Sequence, residues 1–154
     1  MDTIQYLITQ LSSTDLRARL DAARDLGWTR DARAIEPLSR VLSDDRPELR
    51  RAAVVALGDI GDTAAIQPLS RALFDESLVV SCAAARALRR LGRREALSAL
   101  RARLRTVRGE WAAAVKPVVW VAIISLEFPA ASIEGRPRTG DTDVPATTGR
   151  PRAT

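Results

Sequence analysis

The amino-acid sequence predicts an all-α fold, a right-handed α-α superhelix of about eight helices. Three observations carry that expectation. The chain superposes on itself when shifted by 31 residues, and apolar residues recur at helical spacing inside each period. The composition also favours helix over sheet, with 46% hydrophobic residues dominated by Ala and Leu but only 4% aromatics.

The overlay is specific. Ile35-Glu-Pro-Leu-Ser-Arg-Val-Leu-Ser-Asp44 falls on Ile66-Gln-Pro-Leu-Ser-Arg-Ala-Leu-Phe-Asp75 with seven identities in ten positions. A second shift carries Leu57, Gly61, Ile66, Leu69 and Leu73 onto Leu88, Gly92, Leu97, Leu100 and Leu104, and a backward shift carries Ile35, Leu38 and Leu42 onto Ile4, Leu7 and Leu11. One period therefore runs from residue 4 to residue 104.

Each unit resolves into two helices. The first places Ala52, Ala53, Ala56, Leu57 and Ile60 at helical spacing and ends near Gly61, suited to a left-handed C-terminal position. Asp62 and Thr63 follow as candidate caps, and the second helix shows one apolar stripe of Ile66, Leu69, Ala72 and Leu73. Pro37 and Pro68 sit in first turns, where a missing N–H costs little. Asp44, Asp45 and Asp75 open the turn into the next unit. The expected helices lie at about 2–12, 15–27, 33–43, 47–60, 64–74, 78–91, 94–107 and 111–127. A pair this short cannot bury its own stripe, so neighbouring pairs must stack into one core, with Leu69 in register with Leu7, Leu38 and Leu100 at its centre.

The pattern of an Arg/Ala-rich helix, then Leu57-Gly-Asp-Ile-Gly-Asp62, then Ala65-Ile-Gln-Pro-Leu69 resembles the short bacterial HEAT-like repeat over roughly residues 1–107. That repeat type is also found in phycobilin lyase subunits. The resemblance implies a solenoid that binds other proteins, or, as an alternative, an accessory subunit of a phycobilin lyase-type or other enzyme complex.

Two segments leave the pattern. Val118–Ile124 is a continuous apolar run bracketed by Lys116 and Glu127, shorter than the ~20 residues of a membrane span. We read it as the last helix, a divergent cap that completes a repeat domain over residues 1–128, with surplus apolar surface around Trp120. Residues 129–154 hold four of the eight prolines, three glycines and no aromatic residue, the composition of a disordered tail. Gly135-Arg-Pro-Arg138 recurs there as Gly149-Arg-Pro-Arg152 and resembles an AT-hook core, but Glu134 and Thr148 stand where that motif wants a basic residue.

The net charge of +5 is concentrated. Residues 1–85 carry −3, residues 86–108 carry +8, and the remainder balances. An acidic protein surface is the economical partner for such a block, since no aromatics interleave with its arginines to stack on bases. Binding to nucleic acid through the Arg block and the tail is the weaker alternative.

Nothing in the chain forms a catalytic or cofactor constellation. There is no histidine, no phosphate-binding Gly loop and a single cysteine, Cys82, expected to be a structural and mostly buried thiol. The expected protein is therefore a non-enzymatic scaffold without metal or cofactor. Met1-Asp-Thr-Ile-Gln5 lacks the basic start of a signal peptide, which points to the cytoplasm.

Solenoids of this type usually bind through their concave face, which we expect the second helix of each pair to line. Positions that drift between otherwise faithful repeats mark surface free of packing constraints. Glu36 and Gln67 occupy one such column; Arg101 aligns with Ser39 and Ser70 in a second; Phe74 and Arg105 align with Ser43 in a third. The expected partner-binding residues are accordingly Glu36, Gln67, Phe74, Arg101 and Arg105, with Phe74 as an aromatic anchor beside two positive charges.

Overall fold

A computed structural model describes residues 2–129. Eight α-helices and no strand occur among them: α1 (Thr3–Gln10), α2 (Leu16–Thr29), α3 (Ile35–Val41), α4 (Pro47–Ile60), α5 (Ile66–Ala72), α6 (Leu78–Leu91), α7 (Leu97–Thr106) and α8 (Trp111–Glu127). The tail and its two Gly-Arg-Pro-Arg copies lie outside the described residues.

Even-numbered helices are long and odd-numbered ones short, because a 3-10 turn at Ala32–Ala34, Thr63–Ala65 or Arg94–Ala96 takes the start of α3, α5 and α7. Aspartates cap these turns where the repeat supplies them. Asp31 accepts from the Arg33 amide and Asp62 from the Ala64 amide, both at 2.8 Å. The long helices end in left-handed residues at equivalent positions, Arg30 (φ 53°), Gly61 (φ 78°) and Gly92 (φ 66°). Gly27 is not the end of its helix, although the sequence reading closes that helix at about residue 27. It lies inside α2, which runs on to Thr29.

Gly27 has a packing role instead. A Cβ there would come within 2.8 Å of the Ala56 Cα on α4, and one at Gly58 within 2.8 Å of the Ala87 Cβ on α6. Only residues this small let α2, α4 and α6 lie side by side at such close range. The short helices do not stack on one another in this way; each leans on its long neighbour, leaving furrows between α1 and α3 and between α3 and α5. A stack with one row more closely spaced than the other must bend toward the close row. The long helices therefore form the inner, concave row and the short helices the outer one, the reverse of the expected arrangement.

The core lies between the rows. Leu38, Leu69 and Leu100 from the outer row are fully buried, and so are Leu26, Leu57 and Leu88 from the inner row. Leu7, their mate in α1, is only half-buried.

Buried ion pairs stitch consecutive layers together. Arg50 of α4 is almost wholly buried and grips Asp75 with both Nε (2.8 Å) and Nη2 (2.9 Å), while its Nη1 donates to the Asp44 carbonyl at 2.9 Å. The Asp75 carboxylate holds the Arg50 guanidinium above its ordinary pKa, against the opposing effect of burial. One repeat earlier, Arg19 pairs with Asp44 and donates from Nε to the Leu11 carbonyl at 2.9 Å. Burial pushes the Asp44 carboxyl up, but the Arg46 amide and the Arg19 guanidinium outweigh it and hold the group below its usual range. Asp44 and Asp75 also receive the amides of Arg46 and Ser77, so each ends one layer and begins the next.

Leu69→Ala should destabilise the domain by roughly 2–5 kcal/mol in denaturant unfolding, since it empties a fully buried site in mid-stack. Arg30→Gly should act oppositely. It relieves a left-handed backbone at an exposed position and should raise stability by about 1 kcal/mol, visible as a higher Tm.

Candidate functional site

The column of residues that begins Gly27, Gly58 continues one period later with Arg89 and then Trp120. At the third inner-row contact an arginine thus replaces the glycine that close packing needs, and Val118 replaces the alanine it faces. α8 still packs on α6 and α7, burying Val115, Val119, Ala122, Ile123 and Leu126. Between α6 and α8, however, the seam opens into a groove on the concave side, and Arg89 and Val118 line it.

The groove holds about 530 Å³. Its floor and walls are apolar, from Val55 of α4, Val79 and Cys82 of α6, and Ala114 and Val118 of α8. Arg51, Arg86 and Arg89 rise around it, exposed and with no carboxylate within ion-pairing distance among the described residues. Arg90 is exposed too, but it pairs with Asp59. A shallower cavity of about 230 Å³ continues the groove over Pro117 and Val121, again beside Arg86 and Arg89. Fixed positive charges at the rim of an apolar trough suit a ligand with carboxylates beside apolar groups.

Cys82 lies at the groove rather than in the core, half-buried with its Sγ 4.0 Å from the Ala114 carbonyl oxygen. Burial pushes the thiol pKa up, and the nearby charges of Arg86 and Arg103 offset this only in part. The group is an apolar wall element and not an activated thiolate.

The expected binding residues are distributed differently. Glu36, Gln67, Phe74, Arg101 and Arg105 all belong to the short helices or the turns that end them, hence to the outer row and not the concave face. Glu36 is exposed and bonds Arg40 of its own helix at 3.3 Å. Gln67 and Arg105 are exposed with no side-chain partner among the described residues, and Arg101 is paired with Glu127 of α8. Phe74 does stand out from the surface, 47% exposed, but the guanidinium beside it is Arg103, 5.6 Å from the ring centroid. Arg103 is buried and its Nε has no partner. Its register mates are Gln10, Val41 and Ala72, so an arginine occupies a column that the two middle repeats fill with core residues.

The groove residues were legible in the same register that revealed the repeat. Arg89 in a glycine column, and Val55, Arg86 and Pro117 in a column without fixed character, were the available signals. With the second helices expected to line the concave face, these columns fall on the convex side and carry no signal for binding.

Comparison with known proteins agrees with this architecture. Residues 40–116 match the family model described as HEAT repeats, and residues 18–44 match the PBS lyase HEAT-like repeat. No match to a curated protein was found. Among solved structures, the complex of CpcE and CpcF of phycocyanin lyase from Nostoc sp. PCC7120 aligns with a TM-score of 0.69 and 26% identity, over 87% of this chain and 56% of that one. Human deoxyhypusine hydroxylase aligns with a TM-score of 0.73 and 25% identity, over 89% of this chain and 47% of that one. A designed armadillo repeat protein aligns with a TM-score of 0.54 and 25% identity, over 81% of this chain and 64% of that one. The chain thus spans about half the length of the two natural proteins.

Alkylation of Cys82 by iodoacetamide should follow a pH profile whose midpoint lies above that of a small free thiol. A midpoint below the free-thiol value would show that the arginines, and not burial, control the group.

Proposed function

Because the chain belongs to the HEAT repeat family, we propose that it is a non-catalytic scaffold that binds an acidic segment of another protein in the concave groove between α6 and α8. The observation that carries this reading is the opened seam. The repeat departs from its own packing rule at Arg89 and Val118, and there it gathers three arginines, unpaired among the described residues, around an apolar trough. Protein partnership is also in keeping with the likeness to the complex of CpcE and CpcF, itself an assembly of two proteins.

The same match supports a second reading, in which the chain assists an enzyme as an accessory subunit. In that reading the chain would bring no histidine to the reaction. The two readings share the groove and differ in what the partner does.

Kinetics with the native partner, captured by pull-down, provide the test. Arg51→Glu should slow association and flatten its salt dependence, because a rim charge acts chiefly through long-range attraction. Val79→Glu should speed dissociation by at least about tenfold, since it places a charge against the apolar wall. Unchanged kinetics in both variants would remove the groove from the binding surface.

A further inference from the structure

α8 is the last described helix of the inner row, and the described residues cover only one of its sides. Val115, Val119, Ala122, Ile123 and Leu126 face the stack, while Trp120 (54% exposed), Val121, Ile124 and Phe128 face outward together with Pro117. Their spacing of three, one, three and four residues makes a single stripe along the helix, roughly 16 Å long. No carboxylate interrupts it. Glu127, the acid of α8, is turned aside into its pair with Arg101, and Lys116 is the charged residue left at the margin.

One long edge of this stripe is positive. Pro117 and Val121 share a cavity with Arg86 and Arg89, so the apolar surface runs into the arginine rim without a break. That charge decides between possible occupants. A second copy laid stripe against stripe in antiparallel pairing would bring the two arginine edges together. The opposite end of the solenoid offers no complement either: α2 exposes the lone Trp28 beneath Arg24, which is already paired with Asp21 and Asp25, and carries no comparable apolar row.

We infer that α8 is a docking site for one amphipathic helix of a partner protein, apolar on the side that meets Trp120, Val121 and Ile124 and acidic along the edge that meets Arg86 and Arg89. Such a helix would lie on α8 as α8 lies on α6, adding a layer to the stack. The inference rests on the reading of the chain as a protein-binding scaffold and specifies the shape and charge of what it binds.

The test uses the full chain and a synthetic amphipathic helix of about four turns with leucines on one side and glutamates along one flank, beside its isomer with lysine in place of each glutamate. Calorimetric titration should show the glutamate peptide binding at least about tenfold more tightly than the lysine isomer, and Trp120→Ala and Arg86→Glu should each weaken it by about tenfold or more. Circular dichroism should show both variants as helical as the parent, since neither residue is buried. Equal affinity for the two peptides, full binding by Trp120→Ala, or no binding of the glutamate peptide up to about millimolar concentration would overturn the docking site. So would sedimentation showing a dimer of the chain that Trp120→Glu dissociates, which would assign the stripe to a second copy. With the native partner, loss of binding by Arg51→Glu alone would leave the groove as the binding surface and reject the docking site. Loss by Trp120→Ala would support it.

Discussion

The close approach of the long helices sets the geometry of everything else in this protein. At Gly27 and Gly58 the missing Cβ lets the facing alanine of the next layer come almost into backbone contact. Helices held that near one another exclude water along their whole length and fix the spacing of the inner row. The outer row, with leucines between its helices and the core, cannot come as close, and the difference in spacing makes the curve. The apolar core then occupies the wedge between two rows of unequal pitch, which is why its largest members, such as Leu57 and Leu69, alternate from one row to the other.

A second set of contacts keeps successive layers in step. Arg19 and Arg50 each leave the inner row, cross beneath a turn and meet the aspartate that starts the following unit. An ion pair buried as deeply as Arg50 and Asp75 gains little net stability over an apolar pair of the same volume, because both charges must be stripped of water. Its value here is positional. The guanidinium reaches carbonyls in one turn and a carboxylate in the next, so neither layer can slide without breaking several bonds. The ladder stops after two rungs. Ser81 stands where Arg19 and Arg50 stand and donates to the Leu73 carbonyl, and Thr106 stands where Asp44 and Asp75 stand. Arg103 enters the protein near this break, with Phe74 over its guanidinium and its Nε without a partner.

Both regularities thus fail in the same part of the molecule, between the third and fourth layers. The glycine seam ends at Arg89 and the ion-pair ladder ends at Ser81, and the groove, the unpaired arginines and Cys82 all lie there. The two ends of the described solenoid differ accordingly. The first layer meets water with paired charges and the single Trp28 on α2, while α8 meets it with a continuous stripe that includes Trp120, Val121 and Ile124. Electrostatics follow the same gradient, from a net −3 over residues 1–85 to +8 over residues 86–108. An acidic partner would be drawn toward the end of the stack where apolar surface awaits it.

The sequence by itself determined the helical content, the 31-residue period, the capping aspartates and the identity of the outer-row core leucines. Each of these is a local or periodic property: a helix cap is satisfied within three residues, and a stripe repeats with the turn of its own helix. Tertiary structure alone decided which row lies inside the curve, because that depends on contacts between residues 29 apart, Gly27 with Ala56 and Gly58 with Ala87. It also decided that Phe74 meets Arg103 and not Arg101 or Arg105. Residues two apart on α7 point to nearly opposite sides, so the arginine between two surface arginines is the one turned inward. The positions of the groove were present in the register all along, but a column of Gly27, Gly58, Arg89 and Trp120 acquires a meaning only when the distance between helices is known. A glycine in a helix can mark an end, a kink or a close contact, and only the neighbouring layer selects among them.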